Sequence, residues 1–335
     1  MTSPSAPGDP VSPPPGPFDA GALLAAAQTG DRRALARLLS AAERGGPDGR
    51  AVAALAYRHP TEADTLGITG APGAGKSTLT DRLITAARAA GVPRLAVLAV
   101  DPTSPFTGGA ILGDRVRMQG HDLDAGVFIR SMASRGHLGG LALAVPEAIR
   151  LFAAAGIPLI MVETVGVGQV EVEVASATDT TVVVVNPRWG DAIQANKAGL
   201  METADIFVIN KADMPGAAQS RRDLEQMLDL STPGDWRPPV VETVSTTGDG
   251  VDALWAEIGR HRAYLAGAGL LEERRRERLR REFRLVLRTR IEREIDRLAA
   301  ETRFAELDDD VLGHRLDPYQ AAETLLTHLG GDLAP

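Results

Sequence analysis

The sequence predicts an α/β protein: a doubly wound, mostly parallel sheet, preceded by a small helical subdomain and followed by a helical extension. Three observations predict it. Between Thr65 and about Ala266, apolar runs too short for helices alternate with helical patterns. The runs (Leu66–Thr69, Leu95–Val100, Pro158–Val162, Thr181–Val185, Ile206–Ile209 and Val240–Val244) are nearly continuous in apolar residues, without polar alternation, as suits strands covered by helices on both faces. A glycine-rich stretch, Gly70-Ala71-Pro72-Gly73-Ala74-Gly75, joins the first run to a helical pattern with Leu79, Leu83 and Ala87 on one face, closed by Gly91.

The flanking segments follow in order. Residues 1–18 are rich in Pro, Ser and Gly and bury too little to offset ordering entropy, so a disordered tail is expected. Residues 19–60 repeat apolar positions at helical spacing (Leu23, Leu24, Ala27; Leu35, Leu38, Leu39, Ala42), broken at Gly30-Asp31 and Gly45-Gly46-Pro47. A nucleotide-type sheet domain is expected over 61–266. From 267 to 335 the pattern becomes an Arg/Glu-dense helix whose apolar seam, Leu279, Phe283, Leu287, Ile291, Ile295 and Leu298, advances by three or four residues along one face. That seam predicts a dimerisation arm.

Composition excludes several function classes. The chain has 335 residues and a net charge of −8, which argues against a nucleic-acid surface. Cysteine is absent, so thiol catalysis and thiolate metal sites are excluded, and the six histidines show no paired ligand spacing. No apolar run is long enough for a bilayer and the N-terminus lacks a basic-then-apolar leader; no membrane association and a cytoplasmic location are expected.

The three lysines among 36 basic residues point to the chemistry, because a compact ammonium is not interchangeable with a guanidinium. Lys76 completes a G-x-x-x-x-G-K-[ST] loop from Gly70 to Ser77, followed by Thr78, between strand and helix. In such a loop the backbone N–H groups and the helix N-terminus cradle phosphates, Lys76 bridges the β- and γ-phosphates, and Ser77 ligates Mg²⁺. Lys211 lies in Asn210-Lys211-Ala212-Asp213, after a strand, where Asp213 can accept hydrogen bonds from guanine N1–H and the exocyclic amine. Adenine offers no matching donors at these positions, so the pattern selects GTP and GDP over ATP by on the order of 10⁴. Ser245-Thr246-Thr247 is expected to complete the base pocket, mostly through backbone N–H groups.

Asp101 and Glu163 end strands and are candidate metal-shell acids, one binding Mg²⁺ directly and the other through water. Gly166 is placed for its N–H to sense the γ-phosphate. Lys76, Asp101, Glu163 and Gly166 form the candidate catalytic set. No cis arginine finger or water-positioning residue is evident, Gln169 lying too far past Gly166, which predicts slow intrinsic hydrolysis.

Asp101-Pro102-Thr103-Ser104-Pro105-Phe106, Gly113-Asp114-Arg115-Val116-Arg117-Met118, Phe128-Ile129-Arg130-Ser131-Met132-Ala133, Arg135-Gly136-His137-Leu138-Gly139-Gly140 and Glu163-Thr164-Val165-Gly166-Val167-Gly168-Gln169 resemble the methylmalonyl-CoA mutase-associated GTPases (MeaB/ArgK type) of the SIMIBI class, over roughly residues 20 to 300. The resemblance implies a homodimeric G protein that protects an adenosylcobalamin-dependent acyl-CoA mutase and gates its cofactor loading. It assigns Lys76, Ser77, Asp101, Asp114 and Glu163 to phosphate and Mg²⁺, and Asn210, Lys211 and Asp213 to the base. A transport-kinase label used for this family is not supported by the base motif. Two alternatives remain: an ATP-dependent metabolite or transport-protein kinase, for which no acceptor pocket is evident, and a metal-insertion GTPase, which would bring Cys or His ligands. Many members carry Pro-Gly-Ala-Gly-Asp where this chain has Pro187-Arg188-Trp189-Gly190-Asp191, which alters partner contacts there.

The resemblance also implies a third switch over this stretch, with Asp191 and Lys197 at its charged positions. Lys197 is then expected to pair with Asp191 or Glu163 in one nucleotide state and to release it in the other. Lys197→Ala should leave GTP affinity and basal hydrolysis nearly intact while weakening the acceleration by a cognate mutase, by ~1–3 kcal/mol of coupling. Unchanged partner-stimulated hydrolysis would return Lys197 to an ordinary surface residue.

Overall fold

The computed structural model describes residues 18–59, 63–102, 119–121, 123–134, 140–164, 176–187, 203–230, 235–299 and 302–332. The expected tail before Phe18, and Asp114, Gly166, Asp191 and Lys197, lie outside the described residues.

Three helices open the chain: α1 (Ala20–Gln28), α2 (Arg32–Arg44) and α3 (Gly46–Tyr57). Asp19 and Asp31 cap the first two by accepting hydrogen bonds from the N–H groups of Ala22 and of Arg33 and Ala34. The sheet follows as β1 (Asp64–Gly70), α4 (Lys76–Ala89), β2 (Leu95–Pro102), β3 (Val127–Ser134), α5 (Gly140–Ala154), β4 (Leu159–Thr164), β5 (Thr180–Val185), β6 (Ile206–Asn210), α6 (Ala217–Leu230), β7 (Val240–Thr243) and α7 (Val251–Gly267). Helices α8 (Leu270–Ala299), α9 (Thr302–Leu312) and α10 (Pro318–Asp332) close the described chain. Of two compact units, the larger holds the described residues through Arg275 and the second the described residues from Arg276 onward.

All seven strands run parallel in the order β3-β2-β4-β1-β5-β6-β7. The alternation of burial explains the continuous apolar runs. In β6, Ile206 and Val208 face one core with Leu79, Leu83 and Leu254, while Phe207 and Ile209 face another with Leu224. In β2, Ala96, Leu98 and Val100 join Leu38, Leu39 and Phe152, whereas Leu95 and Val97 join Leu83. Every position in such a strand is interior, so a period of two never shows as polar alternation. The helices α1–α3 share a core with the sheet and α5 instead of enclosing their own.

The sequence pattern yields six strands, and the seventh, β3, is the difference. It is an edge strand whose Arg130 and Ser131 break the apolar run; Arg130 reaches out to Ser40 and Glu43 of α2. Strands β2 and β4 also run further than their apolar runs, so Asp101 and Glu163 lie within the strands' last residues. Among the described residues, no helix is long and apolar enough to cross a membrane.

The amino-terminal pole of the sheet carries a charge network. The buried Asp205 accepts from the Thr181 N–H at 2.8 Å and from both Arg274 guanidinium nitrogens at 3.0 and 3.2 Å, and His261 Nε2 lies 3.2 Å away. Burial pushes the Asp205 carboxyl upward, but the His261 and Arg274 contacts outweigh it and hold the group below its ordinary value. A depressed carboxyl contributes stability above its unfolded pKa, near about 4, and loses it as the pH falls through the lower folded value. Asp205→Asn should therefore cost about 2 kcal/mol at neutral pH, less than a fully buried pair because Arg274 is partly solvated. Its deficit in thermal stability against the parent should be constant at neutral pH and shrink as the pH falls below about 4 through the lower folded value; a deficit that grows as the pH falls below about 4 would refute this account.

Candidate nucleotide-binding site

Every candidate site residue within the description lies at the carboxyl-terminal edge of the sheet, beside β1. The chain leaves β1 toward β2 and β3 on one side and later fills β5, β6 and β7 on the other, so the crevice opens where the winding reverses.

The loop between β1 and α4 is built by close approaches. Gly70, at φ 129°, runs so near β5 that a Cβ there would overlap the Val184 carbonyl. Gly73 and Gly75 have φ of 72° and 93°, the left-handed region that favours glycine. Gly75 also abuts the base motif: a Cβ at this position would lie 2.4 Å from Asn210 Nδ2. Ala74 is buried, Pro72 and Gly73 are exposed, and Ala71 and Thr78 are half-buried.

Lys76 and Ser77, the first residues of α4, are both buried. The Lys76 ammonium turns back over the loop and donates to the carbonyls of Gly70 at 2.7 Å and Ala71 at 2.9 Å. Ser77 Oγ donates to Glu163 Oε1 at 2.6 Å, and next to this pair the hydroxyls of Thr69 and Thr164 meet at 3.0 Å. Register places Asp101 one residue beyond the pairing of Val100 with Thr164. Backbone pairing thus brings Asp101 and Glu163 to neighbouring strand ends. The Ser77–Glu163 pair supplies hard oxygen donors in a buried setting, a set that fits Mg²⁺, which takes few protein ligands and keeps several waters.

The base motif occupies the other half of the crevice. Asn210 is buried and does not face outward: its Nδ2 donates to the Ala74 carbonyl at 2.8 Å, and its Oδ1 accepts from Thr243 Oγ1, Ser245 N–H and Ser245 Oγ at 3.2, 3.2 and 2.7 Å. Lys211, at φ 59°, sends its ammonium across to the Gly73 carbonyl at 2.8 Å. Asp213 is exposed in the turn closed by the Met214 N–H on the Lys211 carbonyl, at 3.0 Å. Ser245 is buried with its hydroxyl committed to Asn210, while Thr246 and Thr247 are exposed beside it. This narrows the expectation that Ser245-Thr246-Thr247 completes the base pocket mostly through backbone N–H groups, because the Ser245 N–H is itself given to Asn210.

Three contributors are given no role by the motif reading: Thr69, Thr164 and Thr243. Each is a strand-end threonine, and its position one step from a motif is the signal that could have found it. The arrangement can hold a nucleotide lengthwise, phosphates over Gly73–Ser77 and base beside Asp213, with the two halves locked through Asn210 and Lys211.

Comparison with known proteins gives a consistent result. The family described as methylmalonyl-CoA mutase-associated GTPase MeaB matches residues 35–300. A Pyrococcus abyssi protein that carries a GTPase name is 48% identical over 317 residues, covering 93% of this chain and 98% of that one. A fused isobutyryl-CoA mutase of Cupriavidus metallidurans is 40% identical over 202 residues, 59% of this chain and 18% of the relative. A solved structure described as an LAO/AO transport system kinase superposes with a TM-score of 0.68 at 28% identity, covering 93% of this chain and 97% of that one. With a phosphate loop locked to a guanine motif and a family match that spans both, the chain belongs to the methylmalonyl-CoA mutase-associated GTPase family, a family of P-loop GTPases.

Proposed function

We propose that this protein binds and hydrolyses GTP with Mg²⁺ as a switch that protects an adenosylcobalamin-dependent acyl-CoA mutase and gates its cofactor loading. One observation carries the nucleotide part: Asn210 Nδ2 on the Ala74 carbonyl, which makes the phosphate loop and the guanine motif one rigid unit. The mutase part is supported by the family match and by the relative named as a fused isobutyryl-CoA mutase, in which a stretch like this chain is part of the mutase polypeptide.

In this reading Lys76 exchanges its two carbonyl partners for β- and γ-phosphate oxygens, which are charge-assisted and stronger acceptors. Ser77, with Glu163 and Asp101, would hold Mg²⁺, the Ser77 hydroxyl and the Glu163 carboxylate already standing together. Bound there, Mg²⁺ supplies charge neutralisation between the β- and γ-phosphates. Lys211 stays on Gly73, keeping the loop open around the phosphates, and Asp213 reads the base. Gly166, Asp191 and Lys197 are assigned to the nucleotide-sensing segments, and Asp114 to the phosphate and Mg²⁺ positions, on the strength of the sequence and its family resemblance alone.

The transport-kinase name of the solved relative belongs to that protein. A kinase reading of this chain predicts ATP use, whereas Asp213 in its turn after β6 favours guanine. Assembly as a homodimer is supported by α8, where Leu279, Phe283, Leu287, Ile291 and Ile295 are all exposed at four-residue intervals.

Calorimetry should show GTP bound far more tightly than ATP, and ATP binding within tenfold of GTP would sink the assignment. Lys76→Ala should abolish tight triphosphate binding, and Asp213→Asn should weaken GTP by about a hundredfold through the loss of charged hydrogen bonds. For assembly, light scattering of the full chain should report a dimer that Leu287→Glu with Ile291→Glu converts to a monomer. A parent chain that is already monomeric at micromolar concentration would refute the arm.

A further inference from the structure

Arg82 lies in α4, six residues past Lys76, and no sequence motif includes it. Six helical residues rise about 9 Å, roughly the distance that separates a phosphate end from a base end. Its side chain does not end in solvent. Nε donates to the Ser245 carbonyl at 2.9 Å and Nη2 to the Thr246 carbonyl at 2.7 Å, so one guanidinium spans two successive peptide units of the loop after β7.

These two bonds fix the direction of the N–H groups, because the C=O and N–H of a planar trans peptide point opposite ways. With the Thr246 carbonyl held on Arg82, the Thr247 N–H turns back into the loop, where it donates to the Val244 carbonyl at 3.1 Å. The Ser245 N–H donates to Asn210 Oδ1 at 3.2 Å. Between these two committed donors stands the Thr246 N–H. It shares a peptide plane with the Ser245 carbonyl and is therefore aimed away from Arg82 and α4, at an exposed residue next to the Asn210–Asp213 turn.

We propose that Arg82 is a positioning residue for base selectivity: by gripping the Ser245 and Thr246 carbonyls it holds the Thr246 N–H as the donor to guanine O6. This rests on the reading of the crevice as a guanine site. Asp213 reads the N1–H and amine of the base, which are donors, and the Thr246 N–H reads the one acceptor on the same edge. Because Arg82 and Lys76 share α4, the O6 donor and the phosphate cradle are fixed to one rod. Arginine suits the task because its planar fork offers two donors at fixed spacing, which an ammonium cannot reproduce on both carbonyls.

The test measures affinities of the full-length parent, Arg82→Ala, Arg82→Gln and Arg82→Lys for GTP, GDP and the triphosphate of 2-aminopurine riboside, which keeps the amine but lacks both O6 and the N1–H; the lost N1–H falls on Asp213 in parent and variants alike, so a change of the ratio between them reports O6. The parent should prefer GTP over the 2-aminopurine nucleotide. In Arg82→Ala that preference should fall about tenfold, the worth of one well-aligned hydrogen bond, while the preference for GTP over GDP stays at the parental value. Arg82→Lys should recover part of the selectivity. An unchanged preference for O6 in Arg82→Ala overturns the proposal, as does a loss of O6 preference that comes only with an equal loss of the GTP-over-GDP preference. If circular dichroism shows Arg82→Ala to be misfolded, the same two ratios in the Gln and Lys variants decide. A parent with no preference between GTP and the 2-aminopurine nucleotide would overturn the guanine reading itself, an outcome visible before any variant is made.

Discussion

The nucleotide site depends on the side-chain amide of Asn210. It sits at the end of β6 and ties three segments that are far apart in the chain: the phosphate loop through the Ala74 carbonyl, the end of β7 through Thr243, and the following loop through Ser245. An amide suits this place because it donates with one atom and accepts with the other, whereas a carboxylate would only accept and would face the Ala74 carbonyl as like against like. The contact is so close that Gly75 cannot carry a Cβ against it. The glycine of one motif and the asparagine of another are thus a single constraint: each is the residue it must be because of the other.

Around this junction the crevice satisfies its own charges. Lys76 and Lys211 rest on carbonyls of the same loop that frames the phosphate site, and Ser77 rests on Glu163. A buried ammonium without partners would cost several kcal/mol, so the loop carbonyls keep the cradle folded around its cations. Under the proposed function, exchange of neutral carbonyls for phosphate oxygens would release only modest bonds and form charge-assisted ones. The Ser77–Glu163 contact works alike: it positions two oxygens that suit a hard cation and restrains the helix start.

Much of the fold was legible because strands buried on both faces read as continuous apolar runs, and the phosphate and base motifs are short, contiguous and framed by those runs. The unread part has physical reasons. β3 is an edge, where Arg130 serves α2 as well as the sheet and Ser131 adds a second polar position, so its pattern resembles no interior strand. Asn210 read as a base-pocket residue, but its bond to Ala74 joins positions 136 residues apart, a separation that local periodicity cannot report. Arg82 read as an ordinary polar residue of a helix, because its two acceptors are backbone carbonyls, which leave no mark in sequence. Asp205 and Arg274 are two charges among many until the fold sets them together.

The two poles of the sheet divide the labour by charge. At the carboxyl pole, open strand ends and the N-terminus of α4 favour an anionic ligand. At the amino pole the acids lie inside: Asp179 accepts from the Thr65 N–H and from Arg275, and Asp205 accepts from Thr181 and Arg274. Those arginines are in the first turns of α8, so the start of this helix is fastened to the residues that immediately precede β5 and β6. β6 ends at Asn210, and β5 passes Gly70 at the foot of the phosphate loop. Two fully buried strands therefore connect the helix that leaves the sheet with the residues that frame the nucleotide. Close-packed strands transmit displacement instead of absorbing it, so any force that shifts the start of α8 must be borne at Asp179 and Asp205 or passed along β5 and β6.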